Sequence, residues 1–118
     1  MSGLRRFLGR LTEGDEERLA AELRTWAATV PGTVRIDEAA PRSRVSLAGM
    51  VRRITVRPVE GFEALEVVLS DGTGEVVARW LGRRAIRGLA LGSRLKIEGV
   101  LGLEQGMRKV VNPTFEFA

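Results

Sequence analysis

Residues 62–81 read FEALEVVLSDGTGEVVARWL and hold the clearest structural pattern in the chain. Apolar side chains alternate along residues 62–70, which is typical of a strand with one buried face. The Asp-Gly-Thr-Gly sequence at positions 71–74 predicts a tight turn, and residues 75–81 alternate again. The stretch therefore predicts an antiparallel β-hairpin.

A longer alternating segment precedes this hairpin, from residue 44 to residue 56. Gly49 lies inside it, and the alternation slips at Arg52-Arg53. A glycine within a strand and a slip in alternation together predict a β-bulge, the device that lets one bent strand take part in two sheets. We expect a single long, bent first strand.

A connector and two more strands follow the hairpin. Residues 82–91 contain too much glycine for a long helix, but residues 83–87 are compatible with a helical turn or more. Residues 94–101 alternate, and residues 108–117 form a last strand that Pro113 interrupts. The pattern predicts five strands, with a short helix between strands 3 and 4.

Helical spacing is confined to the first part of the chain. Residues 4–11 and a segment from Asp15 to about Thr29 each place apolar side chains on one face, and Trp26 lies on the second of these faces. We interpret Trp26 as a packing residue. Residues 1–40 are therefore predicted to form an N-terminal helical segment, which either packs on or extends from a domain formed by residues 41–118.

The composition excludes most familiar enzyme chemistry. The chain has no cysteine and no histidine, which removes disulfides, thiolate or imidazole metal sites, thiol nucleophiles and the usual general base. No carboxylate cluster has the spacing of a metal site, so we expect a non-enzymatic protein without cofactor or metal. No apolar run approaches the roughly 18 residues of a membrane span, and the apolar segment near residue 4 is too short for us to expect a secretory signal. We expect a soluble, cytoplasmic protein without membrane insertion.

The positive charge is concentrated after Pro41. The formal net charge is +4, but residues 1–40 carry 6 basic and 7 acidic side chains, whereas residues 41–118 carry 13 and 8. A basic balance of this kind is typical of proteins that bind polyanions. The bias of 17 arginines to 2 lysines is explained either by a GC-rich genome or by selection for phosphate binding.

Four segments match one known family in chain order. They are residues 47–51 (LAGMV), 65–74 (LEVVLSDGTG), 91–99 (LGSRLKIEG) and 112–113 (NP). On these segments, residues 45–117 resemble the OB-fold nucleic-acid-binding domains of the anticodon-binding and RecG-wedge type, and the whole chain is similar to small stand-alone OB-fold proteins of actinobacteria. The resemblance implies a mainly β fold with N-terminal helices, in which a five-stranded Greek-key barrel carries a short helix between strands 3 and 4.

An OB barrel that binds single strands needs cations along the phosphate path and planar groups on which bases stack. Binding is expected across strands 2 and 3 and the loops that flank them. The candidate residues are Arg53, Arg57, Phe62, Arg79, Trp80, Arg83, Arg84, Arg108 and Lys109. We therefore predict binding of single-stranded DNA or RNA with low sequence specificity.

Alternatives remain open for several of these positions. Phe62 is either a stacking platform or a lid over the barrel end, and Trp80 lies in the core unless a bulge turns it toward the groove. Glu63 and Glu66 would repel phosphate. The alternative function is a protein-interaction or oligomerisation module that uses the barrel as a scaffold and residues 4–30 for association.

Overall fold

The computed structural model describes residues 13–118, and β-strands dominate them. Along this part of the chain, one α-helix and one 3-10 helix precede six strands. They are α1 (Glu13–Ala27), the 3-10 helix (Ile36–Glu38), β1 (Arg44–Val59), β2 (Phe62–Ser70), β3 (Glu75–Leu81), β4 (Arg94–Glu104), β5 (Met107–Val111) and β6 (Thr114–Phe117). The predicted helix at residues 4–11 lies outside the described residues.

Five strands form a closed ring in the order β1-β2-β3-β5-β4, because β4 pairs back onto β1. The β3–β5 pairing is parallel, whereas the other pairings of the ring are antiparallel. The last strand, β6, continues the path of β5 and pairs with β4. The expectation of a mainly β fold is confirmed.

The bend of β1 is what allows the ring to close. Residues 44–50 pair with β4 and residues 50–59 pair with β2, with a register shift between Val51 and Arg53. Gly49 lies where the two sheets meet, and a Cβ there would come within 2.8 Å of Leu69 Cβ. The predicted bulge is confirmed by the register shift.

The core fills the inside of the ring. Leu65, Val67 and Leu69 of β2 are fully buried, and they face Trp80, Ala78 and Val76 of β3 in the hairpin register. The predicted alternation of residues 62–81 is therefore confirmed, with the 71–74 turn between the two strands.

The helix α1 packs against the ring. Its Leu23 is fully buried, and the Arg94 guanidinium lies 4.8 Å from the centre of the Trp26 ring. Arg24 Nη1 donates a hydrogen bond to the Gly72 carbonyl over 3.0 Å. None of the helices among residues 13–118 is long and apolar enough to cross a membrane.

The predicted helix between strands 3 and 4 was wrong. Residues 82–93 form turns and bends without a helix. Gly82 and Gly88, on either side of the predicted turn at residues 83–87, and Gly92 beyond it adopt positive φ angles of 73° to 88°, which lie outside the right-handed helical region and confine any helix to the short segment between them. The connector still contributes to the core, since Ile86 is buried in it.

The predicted fifth strand is divided into β5 and β6 at Asn112-Pro113. Asn112 has a φ of 51°, a left-handed conformation that asparagine tolerates, and Pro113 has no N–H to continue a ladder. The Asn112 N–H donates to the Arg79 carbonyl at 2.6 Å, and its side-chain oxygen accepts from the Leu81 N–H at 2.9 Å. Asn112 thus ends the β3–β5 pairing and starts β6.

Candidate nucleic-acid interface

The outer surface of β2, β3 and β5 carries charged side chains at its centre. Glu66 of β2 lies directly opposite Arg79 of β3, and Lys109 of β5 lies opposite Val77, the outward neighbour of Arg79 on the same strand. Since successive strand residues point to opposite faces, these side chains share the surface that the sequence predicts for binding.

These three charged side chains join one residue of β1 and one of β4 in a chain of five ion-paired side chains across the strands, which we call the charged row. Arg57 Nη1 lies 3.2 Å from Glu66 Oε1, and Arg79 Nε donates to Glu66 Oε2 over 2.6 Å. Arg79 Nη1 is 4.0 Å from Glu104 Oε2, which also accepts a 2.9 Å hydrogen bond from Lys109 Nζ. Three cations and two carboxylates therefore alternate, and most of the positive charge is compensated.

Glu66 is the central anion of the charged row. It points outward, as the alternation predicts, but only 8% of it is exposed. Burial raises the pKa of Glu66, but hydrogen bonds from Arg79 and Arg57 and their positive charges outweigh that effect, so the pKa lies below its usual value. The carboxylate is therefore ionised at neutral pH.

Lys109 similarly lowers the pKa of Glu104, through its hydrogen bond and then its charge. Glu104 lies between the predicted strands at residues 94–101 and 108–117, and its role was not predicted. The available signal was its separation of five residues from Lys109 around the β4–β5 turn, because oppositely charged side chains that are diagonal neighbours across antiparallel strands can pair.

Arg84 and Phe62 lie together at the loop between β1 and β2. They line a cavity of about 460 Å³ with Pro58 and Gly82, and Phe62 is 44% exposed. Arg84 Nε also contacts Glu63 Oε2 at 3.1 Å. We call this the loop cavity; its exposed aromatic ring and adjacent guanidinium could accept a base and a phosphate.

Arg53 and Arg83 are cations without a carboxylate partner among residues 13–118. Arg53 is exposed on β1 opposite Val68, and the Arg83 guanidinium lies 6.0 Å from the centre of the Phe115 ring. Their charge is not compensated, in contrast to that of the charged row.

Two predicted binding residues lie elsewhere. Trp80 is only 5% exposed, because it continues the inward alternation of β3. Its indole N–H donates to the Pro113 carbonyl at 2.9 Å, and its ring meets Phe115 edge to face at 5.4 Å between centres. A base cannot stack on this ring, so the inclusion of Trp80 in the groove was wrong.

Arg108 also leaves the outer surface, because it precedes Lys109 in β5 and points the opposite way. Its Nη2 donates to the Asp37 carbonyl of the 3-10 helix at 3.1 Å, so it joins that helix to the ring. Arg108 therefore does not extend the basic surface of Arg79 and Arg84, and Glu66 and Glu63 pair with those two arginines.

An apolar groove on β4 and β5 was not predicted. Exposed side chains of Val100, Leu103 and Val111 line a cavity of about 490 Å³, with Arg42 and Lys109 at its edge. No pattern in the sequence indicates this groove, because single apolar residues at outward positions are common on protein surfaces. No group of three or more carboxylates suitable for a metal ion occurs within the described part of the chain.

Comparisons with solved structures agree with the strand arrangement. No protein-family model and no curated protein sequence matches the chain. A structure of RecG bound to a three-way DNA junction superposes with a TM-score of 0.62 at 17% sequence identity, over 71% of this chain and 12% of the RecG chain. The chain has the OB fold.

A second OB-fold comparison covers more of both molecules. A Replication Protein A heterotrimer bound to single-stranded DNA gives a TM-score of 0.52 at 17% identity, over 83% of this chain and 76% of that chain. The expected resemblance to OB-fold domains is confirmed at the level of the fold, and both of these structures contain DNA.

Proposed function

We propose that the chain binds single-stranded nucleic acid, without catalysis and with little sequence preference. The interface comprises the outer surface of β2 and β3 together with the loop cavity. The observation that carries the proposal is the position of Phe62, whose exposed ring lines a cavity with Arg84 at one end of a surface that holds further cations. The presence of DNA on two proteins of similar fold supports it.

In this mechanism, Phe62 supplies the stacking surface and arginines contact the phosphates. Base stacking on an aromatic side chain contributes roughly 1–3 kcal/mol per base and tolerates any base. Arg53 and Arg83 contact phosphate with uncompensated charge, whereas Arg57 and Arg84 must share theirs with Glu66 and Glu63. We therefore expect weak binding with a shallow salt dependence.

Fluorescence anisotropy of labelled single strands of mixed sequence, in DNA and RNA forms and over a salt series, tests the proposal. Phe62→Ala should weaken binding by roughly 5- to 150-fold, the equivalent of the stacking contribution of roughly 1–3 kcal/mol. Phe117→Ala is the matched control, since Phe117 is 48% exposed but lies on β6, and it should leave affinity unchanged. Equal effects of both substitutions, or no binding at low salt, would contradict the proposal.

One observation favours a second function, a protein-interaction module. The apolar groove at Val100, Leu103 and Val111 offers a contact surface, whereas the buried Leu23 and Ala27 of α1 are already used against the ring. If this function holds, the chain self-associates in sedimentation equilibrium and Leu103→Lys abolishes the association. A monomer at all concentrations would exclude self-association through the groove.

A further inference from the structure

The two oxygens of the Glu66 carboxylate are held by two different arginines. Arg57 Nη1 contacts Oε1 at 3.2 Å, and Arg79 contacts Oε2 at 2.6 Å through both Nε and Nη2. Guanidinium groups also donate charge-assisted hydrogen bonds to phosphate oxygens, typically over about 2.7–2.9 Å. The carboxylate thus occupies an anion position on the surface proposed for nucleic acid.

The two arginines differ in how firmly Glu66 holds them. The side chain of Arg57 is 57% exposed, whereas that of Arg79 is 18% exposed and that of Glu66 is 10% exposed. An exposed ion pair is weak and exchanges readily, but a pair withdrawn from solvent is costly to break. A phosphate from solution can therefore compete for Arg57, while Arg79 stays bound to Glu66.

We propose that Glu66 is a built-in competitor for the phosphodiester backbone and sets the affinity of this surface. It fills the position that a nucleic-acid phosphate would take between Arg57 and Arg79 and reduces the charge available to the ligand. This inference rests on the proposed function. It adds that the low affinity expected of this surface is set by one residue, Glu66.

Charge counting on the charged row supports this role. With Glu66 and Glu104 ionised, the row of three cations carries a net charge of +1, and Glu66→Gln raises it to +2. Glutamine keeps one oxygen that can accept from Arg79. Its amide NH₂ cannot accept from Arg57, so the more exposed arginine is released.

Anisotropy titrations of a labelled 20-nucleotide DNA single strand with wild type and Glu66→Gln provide the test. One additional phosphate contact should steepen the slope of log affinity against log salt concentration by about 0.7. When salt falls from 1 M to 50 mM, the affinity of Glu66→Gln should therefore rise roughly eightfold more than that of the wild type. Glu98→Gln is the control, because Glu98 is also paired with an arginine, Arg44 at 3.0 Å, but lies where β4 meets β1 and β6. The control should tighten binding less than twofold.

A double substitution assigns the gain to the released arginine. Adding Arg57→Gln to Glu66→Gln should return affinity and salt slope to wild-type values. If Glu66→Gln binds no more tightly than the wild type or Glu98→Gln, the inference is overturned. Binding by the wild type still supports the proposed function in that case. Absence of binding by every variant at low salt would overturn both.

A comparison that leaves Glu66 in place covers the case in which Glu66→Gln does not fold, as judged by circular dichroism. In the wild-type background, Arg57→Gln should weaken binding less than Arg53→Gln, because Glu66 already engages Arg57 and Arg53 has no carboxylate partner among the described residues. A larger loss for Arg57→Gln would mean that Glu66 does not compete for it.

Discussion

Asp71 joins the β2–β3 turn to the 3-10 helix, and its replacement tests how this end of the ring is held. The carboxylate is 2% exposed. Its Oδ1 accepts hydrogen bonds from the Thr73 N–H at 2.8 Å, the Thr73 hydroxyl at 2.6 Å and the Gly74 N–H at 3.2 Å. Its Oδ2 accepts from the Ile36 N–H at 2.9 Å, so a single side chain satisfies three backbone donors.

The substitution Asp71→Asn keeps the shape but converts one oxygen into a donor. If Oδ1 keeps its three partners, the new NH₂ faces the Ile36 N–H, and a buried donor loses its acceptor. A hydrogen bond to a charged group contributes about 1.5–3 kcal/mol, and an unsatisfied buried group costs about 1–3 kcal/mol. The lost hydrogen bond and the unsatisfied N–H are two descriptions of partly the same change, so their energies do not add in full. We expect a loss of about 3 kcal/mol in the free energy of unfolding, a large share of the roughly 5–15 kcal/mol typical of a domain.

Urea unfolding followed by tryptophan fluorescence measures this loss, since Trp80 is buried in the core. The midpoint should fall while the slope m stays constant, because the surface exposed on unfolding is unchanged. Glu75→Gln, at an exposed position directly after the same turn, is the control and should keep the wild-type midpoint. A loss smaller than about 0.5 kcal/mol for Asp71→Asn, the range of ordinary surface substitutions, would refute the role assigned to this carboxylate.

Three further predictions concern packing and charge. Gly49→Ala should cost about 1–3 kcal/mol in urea unfolding, because its Cβ would approach Leu69 Cβ at 2.8 Å and overpack the core; a neutral effect would mean that β1 yields there. Gly72→Ala, whose Cβ would overlap the Ala20 carbonyl oxygen of α1, should separate α1 from the ring and increase iodide quenching of tryptophan fluorescence, and unchanged quenching would contradict that packing. The pKa of Glu66 in the folded protein is lowered from 4.5, so the stabilisation by this carboxylate is present above that value and is lost as pH falls through the folded pKa. The melting temperature of Glu66→Gln should therefore fall less steeply in acid than that of the wild type. Parallel curves of melting temperature against pH would contradict this contribution of Glu66.

The hairpin register explains why much of the fold could be predicted from the sequence. Once the turn is fixed at residues 71–74, Leu65 lies opposite Trp80 and Glu66 opposite Arg79, because antiparallel partners are equally distant from the turn. The same register indicates the core position of Trp80 and the ion pair at Glu66. The sequence therefore contained the signal for both.

The remaining features depend on contacts between distant segments. The parallel pairing of β3 with β5 brings Glu104 and Lys109 beside Arg79, and no local pattern encodes it. Similarly, the turns of residues 82–93 contain glycines with positive φ angles. Composition alone does not distinguish such a segment from an interrupted helix. The contact between Arg79 and Glu104 likewise joins distant segments, and counting cations does not show which anions face them.

The parallel pairing of β3 with β5 also has a consequence for how the chain folds. The meander β1-β2-β3 is local, but the ring closes only when Arg44 meets Val100 and Val76 meets Arg108. Contacts between such distant positions carry a loop-closure entropy that must be overcome before they stabilise the fold, and they are typical of domains that fold in milliseconds to seconds. In any state in which the meander has formed and β5 has not yet paired, the β3 edge is unpaired and the Leu65 face is open to water, and such an edge is prone to aggregation.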